Sequence, residues 1–297
     1  MNDKKLNILV TGANGQLGCC LRDAAKASRN RFIFTDISDV PGLETTWMDV
    51  CNQDTVDIVA DSENVDVIIN CAGYTNVDKA EDETRLADEL NHIAAANLAA
   101  TAKRRKALLI HISTDYIFGG DAAEPIPENA VPEPLGVYGA TKLAGENSVK
   151  ASACNYIIIR TAWLYSKYGR NFVKTMMSIT SSHPEVKVVS DQLGTPTYGP
   201  NLARFITGIL EDGIPKPTGI FNFTDEGVCS WYDFASEISS LAGNACKVIP
   251  CRTSDYPSRA RRPHYSVLDK SLVKSTFGVA IPHWRVPLKE CIEDLKK

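Results

Sequence analysis

Short runs of apolar, mostly β-branched residues alternate with stretches of helical periodicity through the first two thirds of the chain. This alternation is typical of βαβ units, in which successive strands lie parallel in one sheet. Because the runs are apolar nearly throughout, we expect central strands that are buried on both faces. The predicted strands cover residues 6–11, 32–35, 65–70, 108–113, 156–160 and 186–189.

Two segments between these runs have the periodicity of amphipathic helices. They cover residues 17–27 and 86–106. In the second, one buried face is predicted from Leu86, Leu90, Ile93 and Leu98. Prolines become frequent after residue 191, and a further helix is predicted over residues 231–241. The pattern predicts an α/β fold with a doubly wound parallel sheet and a smaller C-terminal α/β portion packed onto it.

Composition narrows the partners that are expected. The 297 residues include 32 Lys and Arg and 36 Asp and Glu, a net charge of −4 that does not favour binding to nucleic acid or to an anionic membrane. The nine cysteines are scattered, which is typical of a reduced, cytoplasmic chain and predicts no metal site. No run approaches the ~18 apolar residues of a membrane-spanning helix.

A glycine-rich turn, residues 12–18, follows the first predicted strand and opens the first helix. Gly12, Gly15 and Gly18 permit a tight turn, a close approach of backbone amides to a pyrophosphate, and close packing of helix on strand. Asp36 ends the next strand, where its carboxylate would accept hydrogen bonds from the hydroxyls of an adenine ribose. The alternative for Asp36 is a simple turn residue. The motif predicts a Rossmann-type dinucleotide site, and Asp36 favours NADH because it would repel a 2′-phosphate.

A second motif places Tyr138 and Lys142 four residues apart, so that on a helix both project from one face. A phenol can donate a proton near neutrality if a nearby cation stabilises its phenolate. Ser113, Thr114 and Asp115 end a predicted strand upstream, at the edge of a parallel sheet where ligands bind. The hydroxyl of Ser113 or Thr114 could hold a substrate oxygen, although the three residue types also begin helices and turns.

These segments together resemble the extended short-chain dehydrogenase/reductase family. The similar segments are residues 12–18, 70–73, 113–115 and 138–142. Further segments resemble, within that family, the dTDP-4-dehydrorhamnose reductases over essentially the whole chain. They are residues 77–81, 113–118, 161–165, 191–197 and 262–263.

The resemblance implies roles for individual residues. The implied catalytic residues are Thr114, Tyr138 and Lys142. The residues implied to bind NADPH or NADH are Gly12, Gly15, Gln16, Leu17, Gly18, Asp36, Asp49, Val50, Cys71, Ala72, Gly73, Tyr138 and Lys142. The residues implied to bind a dTDP-sugar are Thr114, Asp115, Trp163 and Arg262.

Alternatives stay open for some of these residues. Trp163 could be a core aromatic residue, and Arg262 could belong to a solvated loop. Some members of the resembled family hold a metal through glutamates near the first helix, where this chain has Cys19 and Cys20, so no metal is expected. Residues 1–165 are predicted to form the NAD(P)-binding Rossmann domain, to which later strands return, and residues 166–297 mainly the substrate-binding portion.

The resemblance implies a cytoplasmic monomer or homodimer that reduces the 4-keto group of dTDP-4-dehydro-L-rhamnose. Two alternatives share the dinucleotide motif. One is a regulatory module like the beta subunit of methionine adenosyltransferase, which resembles the same reductases. The other is a reductase or epimerase of another nucleotide sugar. The combination of Thr114, Tyr138 and Lys142 favours an enzyme.

Overall fold

The fold is built on a seven-stranded parallel sheet with the order β11-β6-β5-β4-β1-β2-β3. The computed structural model describes residues 5–256 and 258–297. Within them the strands are β1 (Asn7–Thr11), β2 (Arg31–Asp36), β3 (Thr46–Trp47), β4 (Val67–Asn70), β5 (Leu108–Thr114), β6 (Asn155–Thr161), β7 (Leu164–Tyr165), β8 (Glu185–Val189), β9 (Leu193–Gly194), β10 (Thr197–Tyr198), β11 (Gly219–Asn222), β12 (Cys229–Ser230) and β13 (Lys247–Cys251).

Helices connect these strands and cover both faces of the central sheet. The α-helices of the described residues are α1 (Gln16–Ala25), α2 (Gln53–Ser62), α3 (Val77–Ala80), α4 (Thr84–Asp88), α5 (Ala94–Arg105), α6 (Val137–Ala151), α7 (Phe172–Ser182), α8 (Gly199–Gly208), α9 (Trp231–Ala242), α10 (Ser271–Phe277) and α11 (Arg285–Leu295). A π-helical turn, Glu89–Ile93, joins α4 to α5. None of the helices in the described part of the chain is long and apolar enough to cross a membrane.

Successive residues of β1 pack into different hydrophobic cores. Ile8 and Val10 lie in the core formed with α1 and α8, whereas Leu9 lies in the core formed with α2 and α5. Because side chains alternate across a strand, a strand buried on both faces must be apolar at every position. The prediction of a doubly wound parallel sheet is confirmed.

The strand order places a topological switch point beside β1. The chain runs from β1 to β2 and β3 on one side, then returns to β4 and continues to β5 and β6 on the other. In such sheets a crevice forms beyond the carboxyl ends of the two central strands. Gly12 and Cys71 directly follow β1 and β4, so the glycine-rich turn lies at this crevice.

The prediction of a buried central strand over residues 186–189 is wrong. β8 pairs in parallel with β13 in a separate two-stranded sheet. In β8 only Val188 is buried, because this small sheet packs against α7 and α9 on one side. The seventh strand of the central sheet is instead β11, which pairs with β6. A short apolar run does not reveal which sheet it joins.

The single helix predicted over residues 86–106 is interrupted. The π-helical turn adds a residue to one turn and so rotates the buried face of α5 relative to that of α4. As a result, Leu86 and Ile93 are 44% and 38% exposed, although both were expected on the buried face. The buried residues of this segment are Ala87, Asn91, Ala94, Ala95, Leu98, Ala99, Thr101 and Ala102.

The second half of the chain forms a separate aromatic core. Phe234 of α9 contacts the rings of Tyr165, Trp284 and Phe172. α9 begins with a capping box, in which the Ser230 hydroxyl accepts from the Asp233 backbone N–H and the Asp233 carboxylate accepts from Ser230. This core holds Trp231, the first residue of α9, beside the carboxyl ends of the central strands.

Candidate active site

A cleft of about 600 Å³ opens at the carboxyl ends of β1, β4, β5 and β6. We divide its lining into three parts. The glycine wall consists of Gly15, Gln16, Leu17, Cys71, Ala72 and Gly73. The tryptophan wall consists of Ala162, Trp163, Leu164 and Trp231. The floor between them includes Ser113, Thr114, Asp115, Tyr138 and Lys142.

The glycine wall depends on close approach of backbone segments. Gly12 has a φ of +60°, and a Cβ atom there would lie 2.6 Å from the backbone nitrogen of Ala72. A Cβ atom at Gly18 would lie 2.5 Å from the Cα of Ala13. Any side chain at either position would separate the turn from β4 or the helix from its strand. Gly12 and Gly18 thus shape the wall from behind and do not line the cleft themselves.

The wall fits the pyrophosphate of a dinucleotide. Gly15 is the N-cap residue of α1 and has no side chain that could satisfy the first amides of the helix. The neighbouring Gln16 side chain is held elsewhere, because its Nε2 donates to the Leu164 carbonyl at 3.0 Å and its Oε1 accepts from Asn171 Nδ2 at 2.8 Å. The N-terminus of α1 is therefore open to an anion, which its amides and the helix dipole favour.

Three residues implied to contact the adenosine lie beside the cleft rather than in its lining. Asp36 ends β2, and its carboxylate accepts from the backbone N–H groups of Asn14 at 3.1 Å and Ser38 at 3.0 Å. Asp49 accepts from the Cys51 backbone N–H at 2.9 Å, and Val50 is buried. Asp36 is the last residue of β2, and Asp49 and Val50 follow β3, so all three lie on the side of β1 opposite β4.

The structure brings Thr114, Tyr138 and Lys142 together on the floor. Thr114 ends β5, and its hydroxyl lies near enough to the Tyr138 phenol to affect the pKa of that group. Lys142 lies one helical turn after Tyr138 on α6, and its Nζ donates to the Ile112 carbonyl at 2.6 Å. The three side chains converge for two reasons. Tyr138 and Lys142 are four residues apart and so share one face of α6, and Thr114 stands at the end of the neighbouring strand β5.

Burial changes the proton affinities of both helix residues. It raises the pKa of Tyr138 to about 12, although the Thr114 hydroxyl acts in the opposite direction. Burial lowers the pKa of Lys142 to about 8, against the stabilising charge of Glu146. At neutral pH the phenol is therefore protonated and can donate, while the ammonium is charged but easily deprotonated.

Two polar groups of the floor are buried beside this pair. Burial raises the pKa of Asp115 to about 6, although hydrogen bonds from Ser266 and Thr114 oppose the shift. The Thr114 hydroxyl donates to Asp115 Oδ1 at 3.0 Å. Ser113 Oγ is buried without a hydrogen-bond partner among the described residues. An unpartnered buried hydroxyl at the end of a sheet strand suits a ligand that supplies the missing hydrogen bond.

The tryptophan wall is a stacked pair. Trp163 and Trp231 lie with ring centroids 3.6 Å apart and planes 12° apart. Trp163 has a φ of +48°, a strained conformation for a bulky residue. Gly194 makes room for it, because a Cβ atom there would lie 2.7 Å from the indole ring. Trp163 is therefore packed on its neighbours and also lines the cleft, and its role in binding a substrate stays a prediction.

Arg262 lies outside the central cleft. It lines an adjoining pocket of about 400 Å³ together with Phe172, Met176 and Gln192. Tyr116 and Trp231 line both cavities, so the pocket continues the cleft past the tryptophan wall. The Arg262 guanidinium pairs with the Asp78 carboxylate, Nη2 to Oδ2, at 2.6 Å.

Sequence reasoning missed two residues that hold the floor in place. Asn91, in the π-helical turn, accepts from the Tyr74 backbone N–H at 2.9 Å and donates to the Thr141 hydroxyl at 3.1 Å. Glu81 accepts from the backbone N–H of Val137 at 2.9 Å and so caps α6, the helix of Tyr138. A polar residue inside an alanine-rich helix was the available signal for Asn91. The sequence around Glu81 does not indicate its role, because α6, the helix that it caps, begins 56 residues later.

Known proteins match this chain over nearly its whole length. The family model described as RmlD substrate binding domain matches residues 6–297. The dTDP-4-dehydrorhamnose reductase of Aggregatibacter actinomycetemcomitans is 37% identical over 293 residues, which cover 95% of this chain and 97% of that protein. The chain belongs to the dTDP-4-dehydrorhamnose reductase family.

Solved structures of this family have the same fold. A dTDP-4-dehydrorhamnose reductase from Clostridium acetobutylicum superposes with a TM-score of 0.91 at 44% identity, covering 98% of this chain and 100% of that one. The Bacillus anthracis dTDP-4-dehydrorhamnose reductase, solved in complex with NADP, superposes with a TM-score of 0.86 at 35% identity over the same shares. These dTDP-4-dehydrorhamnose reductases do not favour the alternative of a regulatory subunit.

Proposed function

We propose that this chain is an NAD(P)H-dependent oxidoreductase that reduces the 4-keto group of dTDP-4-dehydro-L-rhamnose to give dTDP-L-rhamnose. The observation that carries the proposal is the cleft itself. Its glycine wall fits a dinucleotide, and a protonated phenol, Tyr138, lies on the floor between that wall and the stacked tryptophans. Membership of the dTDP-4-dehydrorhamnose reductase family supports the substrate.

Residues of the glycine wall hold the dinucleotide. The first amides of α1 bind its pyrophosphate, and Gly73 keeps the wall close to Asn91, because a Cβ atom there would lie 3.0 Å from Asn91 Oδ1. Asp36 accepts hydrogen bonds from the adenine ribose, and Asp49 and Val50 flank the adenine. When bound, the reduced nicotinamide supplies the hydride that the carbonyl carbon accepts.

Tyr138 supplies the proton. Its phenol donates to the oxygen of the sugar C4 carbonyl as that oxygen gains negative charge, which completes the alcohol. Thr114 turns its hydroxyl from Asp115 Oδ1 to the same oxygen and polarises it by donating a hydrogen bond. Lys142 stabilises the phenolate that remains, since an opposite charge nearby favours the ionised form. Bulk water then restores the proton to Tyr138.

The nucleotide sugar occupies the other side of the cleft. Its hexose lies against Trp163, and Asp115 accepts hydrogen bonds from its hydroxyl groups. Its nucleotide extends past Trp231 into the adjoining pocket, where Arg262 faces the diphosphate. A guanidinium suits this role because its fork of N–H groups matches phosphate oxygens.

The direct test is an assay of the purified protein with dTDP-4-dehydrorhamnose and either NADPH or NADH. We expect oxidation of the reduced nicotinamide that depends on the sugar, with dTDP-L-rhamnose identified by mass spectrometry and NMR. The matched control uses UDP- and GDP-linked 4-keto-6-deoxyhexoses, which should turn over much more slowly. Binding of the dinucleotide without any sugar-dependent oxidation would contradict the proposal and favour a regulatory module.

A further inference from the structure

A loop from the second half of the chain returns to the first half at α3. Arg262 and Asp78 form a two-pronged ion pair, with Nη2 to Oδ2 at 2.6 Å and Nη1 to Oδ1 at 3.2 Å. Asp78 also accepts from the Ala260 backbone N–H at 3.1 Å. The carboxylate therefore holds both the guanidinium and the backbone that carries it, across 184 residues of chain.

A second ion pair lies next to the first and differs from it. Arg259 pairs with Asp82, and these side chains are 63% and 49% exposed. The Arg262 and Asp78 side chains are 23% and 44% exposed, so the arginine is the more buried partner, and it also lies beside Tyr116. Exposed single ion pairs contribute little, whereas a half-buried pair with two parallel hydrogen bonds fixes the orientation of both partners.

The place of the first pair in the fold connects the two halves of the site. Asp78 lies on α3, five residues after Gly73 of the glycine wall. Arg262 and Tyr116 line the adjoining pocket, and the Tyr116 ring lies edge-on to that of Tyr138 at 5.5 Å. The guanidinium is thus held at a defined distance from the phenol on the floor.

Arginine has many rotamers, and an unsupported guanidinium loses that freedom when it binds a phosphate. Asp78 removes this freedom before any ligand binds. Its carboxylate occupies one edge of the planar guanidinium, and Nη1 also donates to the Ala260 carbonyl at 3.4 Å, so the N–H groups left for a second anion are fixed in direction. The opposite possibility is a latch, in which Asp78 competes with the ligand for Arg262. The two possibilities predict opposite effects when the carboxylate is removed.

We propose that Asp78 is a positioning residue that holds Arg262 in the orientation in which it binds the diphosphate of the nucleotide sugar, an inference that rests on the proposed function. Asp78 touches neither substrate nor dinucleotide. Its effect should therefore appear in the affinity for the diphosphate ligand and leave the chemical step unchanged.

The test compares Asp78→Asn with Asp82→Asn, which removes one charge from the neighbouring exposed pair. Calorimetric titration with dTDP should show affinity about five- to tenfold weaker in Asp78→Asn, a smaller loss than that expected when Arg262 itself is removed, because the guanidinium is still present. KM for the nucleotide sugar should rise by the same factor, while kcat and the affinity for NADH stay unchanged. Asp82→Asn should match the wild-type protein in all four measurements. Asp78→Glu, which keeps the carboxylate, should recover part of the lost affinity.

The same substitution in an Arg262→Ala background separates positioning from general stability. There Asp78→Asn should cause no further loss of dTDP affinity, because the residue it positions is already absent. A further loss in that background, tighter binding of dTDP by Asp78→Asn, or wild-type behaviour of Asp78→Asn would each overturn the inference. If the wild-type protein itself neither binds dTDP nor turns over the sugar, the proposed function fails and the inference fails with it.

Discussion

The glycine wall is formed by two short stretches of backbone that follow adjacent strands, whereas the tryptophan wall and the adjoining pocket are formed by side chains from distant segments. In the glycine wall, close approach of the main chain excludes side chains at Gly12 and Gly18. On the other side of the cleft, Trp163 stacks on Trp231, which lies 68 residues away in the sequence. Arg262 pairs with Asp78, which lies 184 residues away.

This difference determines how each side can vary. A wall made of main-chain amides suits a ligand group that is the same in every dinucleotide, such as the pyrophosphate. Replacing one of its glycines would disrupt the whole wall, because the backbone segments could no longer approach each other. A wall made of separate side chains can change one contact at a time, and with it the ligand that is accepted. We therefore expect substitutions to affect the two ligands separately, except on the floor where the walls meet.

The largest expected effect is at the floor. Tyr138→Phe should reduce kcat by about 10²-fold or more, the usual contribution of a positioned general acid, while the affinities for NADH and dTDP change little. Stopped-flow turnover and calorimetry of both ligands measure this. Tyr74→Phe is the matched control, because it removes a phenol that donates to Glu83 at the surface. Near-normal turnover of Tyr138→Phe would exclude this residue as the proton donor.

The next effect separates the walls directly. Arg262→Ala should weaken binding of dTDP by ~1.5–3 kcal/mol, the value of a hydrogen bond to a charged group, and leave binding of NADH unchanged. Calorimetric titration of each ligand into the same preparation provides the comparison. Equal losses for both ligands would show that the walls are coupled and would contradict their separation.

A pH effect should arise at Lys142 on the floor and reach the dinucleotide but not dTDP. Burial lowers the pKa of Lys142 to about 8, so this residue loses its charge as the pH rises through that value, while Tyr138 stays protonated until about 12. Because the charged form is the active one, kcat/KM for NADH should fall about tenfold per pH unit above this pKa. The affinity for dTDP should stay constant over the same range. A flat profile to about pH 10 would contradict the assignment to Lys142.

The smallest expected effect concerns the choice of dinucleotide. The Asp36 carboxylate would repel a 2′-phosphate, so NADH should bind at least as well as NADPH, and Asp36→Ala should shift the preference toward NADPH by a few fold. Ratios of kcat/KM for the two dinucleotides measure the shift. Asp39→Ala, in the exposed turn just after it, is the control. A strong preference of the wild-type protein for NADPH would contradict this role of Asp36.

The sequence predicted those parts of the molecule that depend on neighbouring residues. The glycine-rich turn and the Tyr138–Lys142 pair are local patterns, and the parallel sheet follows from the uninterrupted apolar strands. Residues 186–189 were wrongly placed in the central sheet because the sequence of so short a strand does not indicate which strand it pairs with. The predicted buried face of residues 86–106 was wrong because a π-helical turn has no local signature in the sequence. Asn91 was missed although a polar residue in this alanine-rich segment was a signal.

Contacts between distant segments could not be predicted from the pattern. Trp163 was singled out, but its partner Trp231 was seen only as the start of a helix. Arg262 was predicted to bind a diphosphate, but its ion-pair partner Asp78 was not predicted. This partner lies in residues 77–81, one of the segments that carried the resemblance. Pairings of this kind depend on the finished fold, because no spacing along the chain relates the two partners.

The position of β11 at the edge of the central sheet also bears on how the protein is made. β11 pairs with β6 over Gly219–Asn222, and the Asn222 amide donates to the carbonyls of Ile126 and Asp269. During synthesis β6 emerges from the ribosome long before β11, and until then its apolar edge has no partner. Unpaired apolar edges promote association with other chains, and pairing between distant parallel strands is slow. The nascent chain is therefore prone to aggregation in the interval between the emergence of β6 and the emergence of β11.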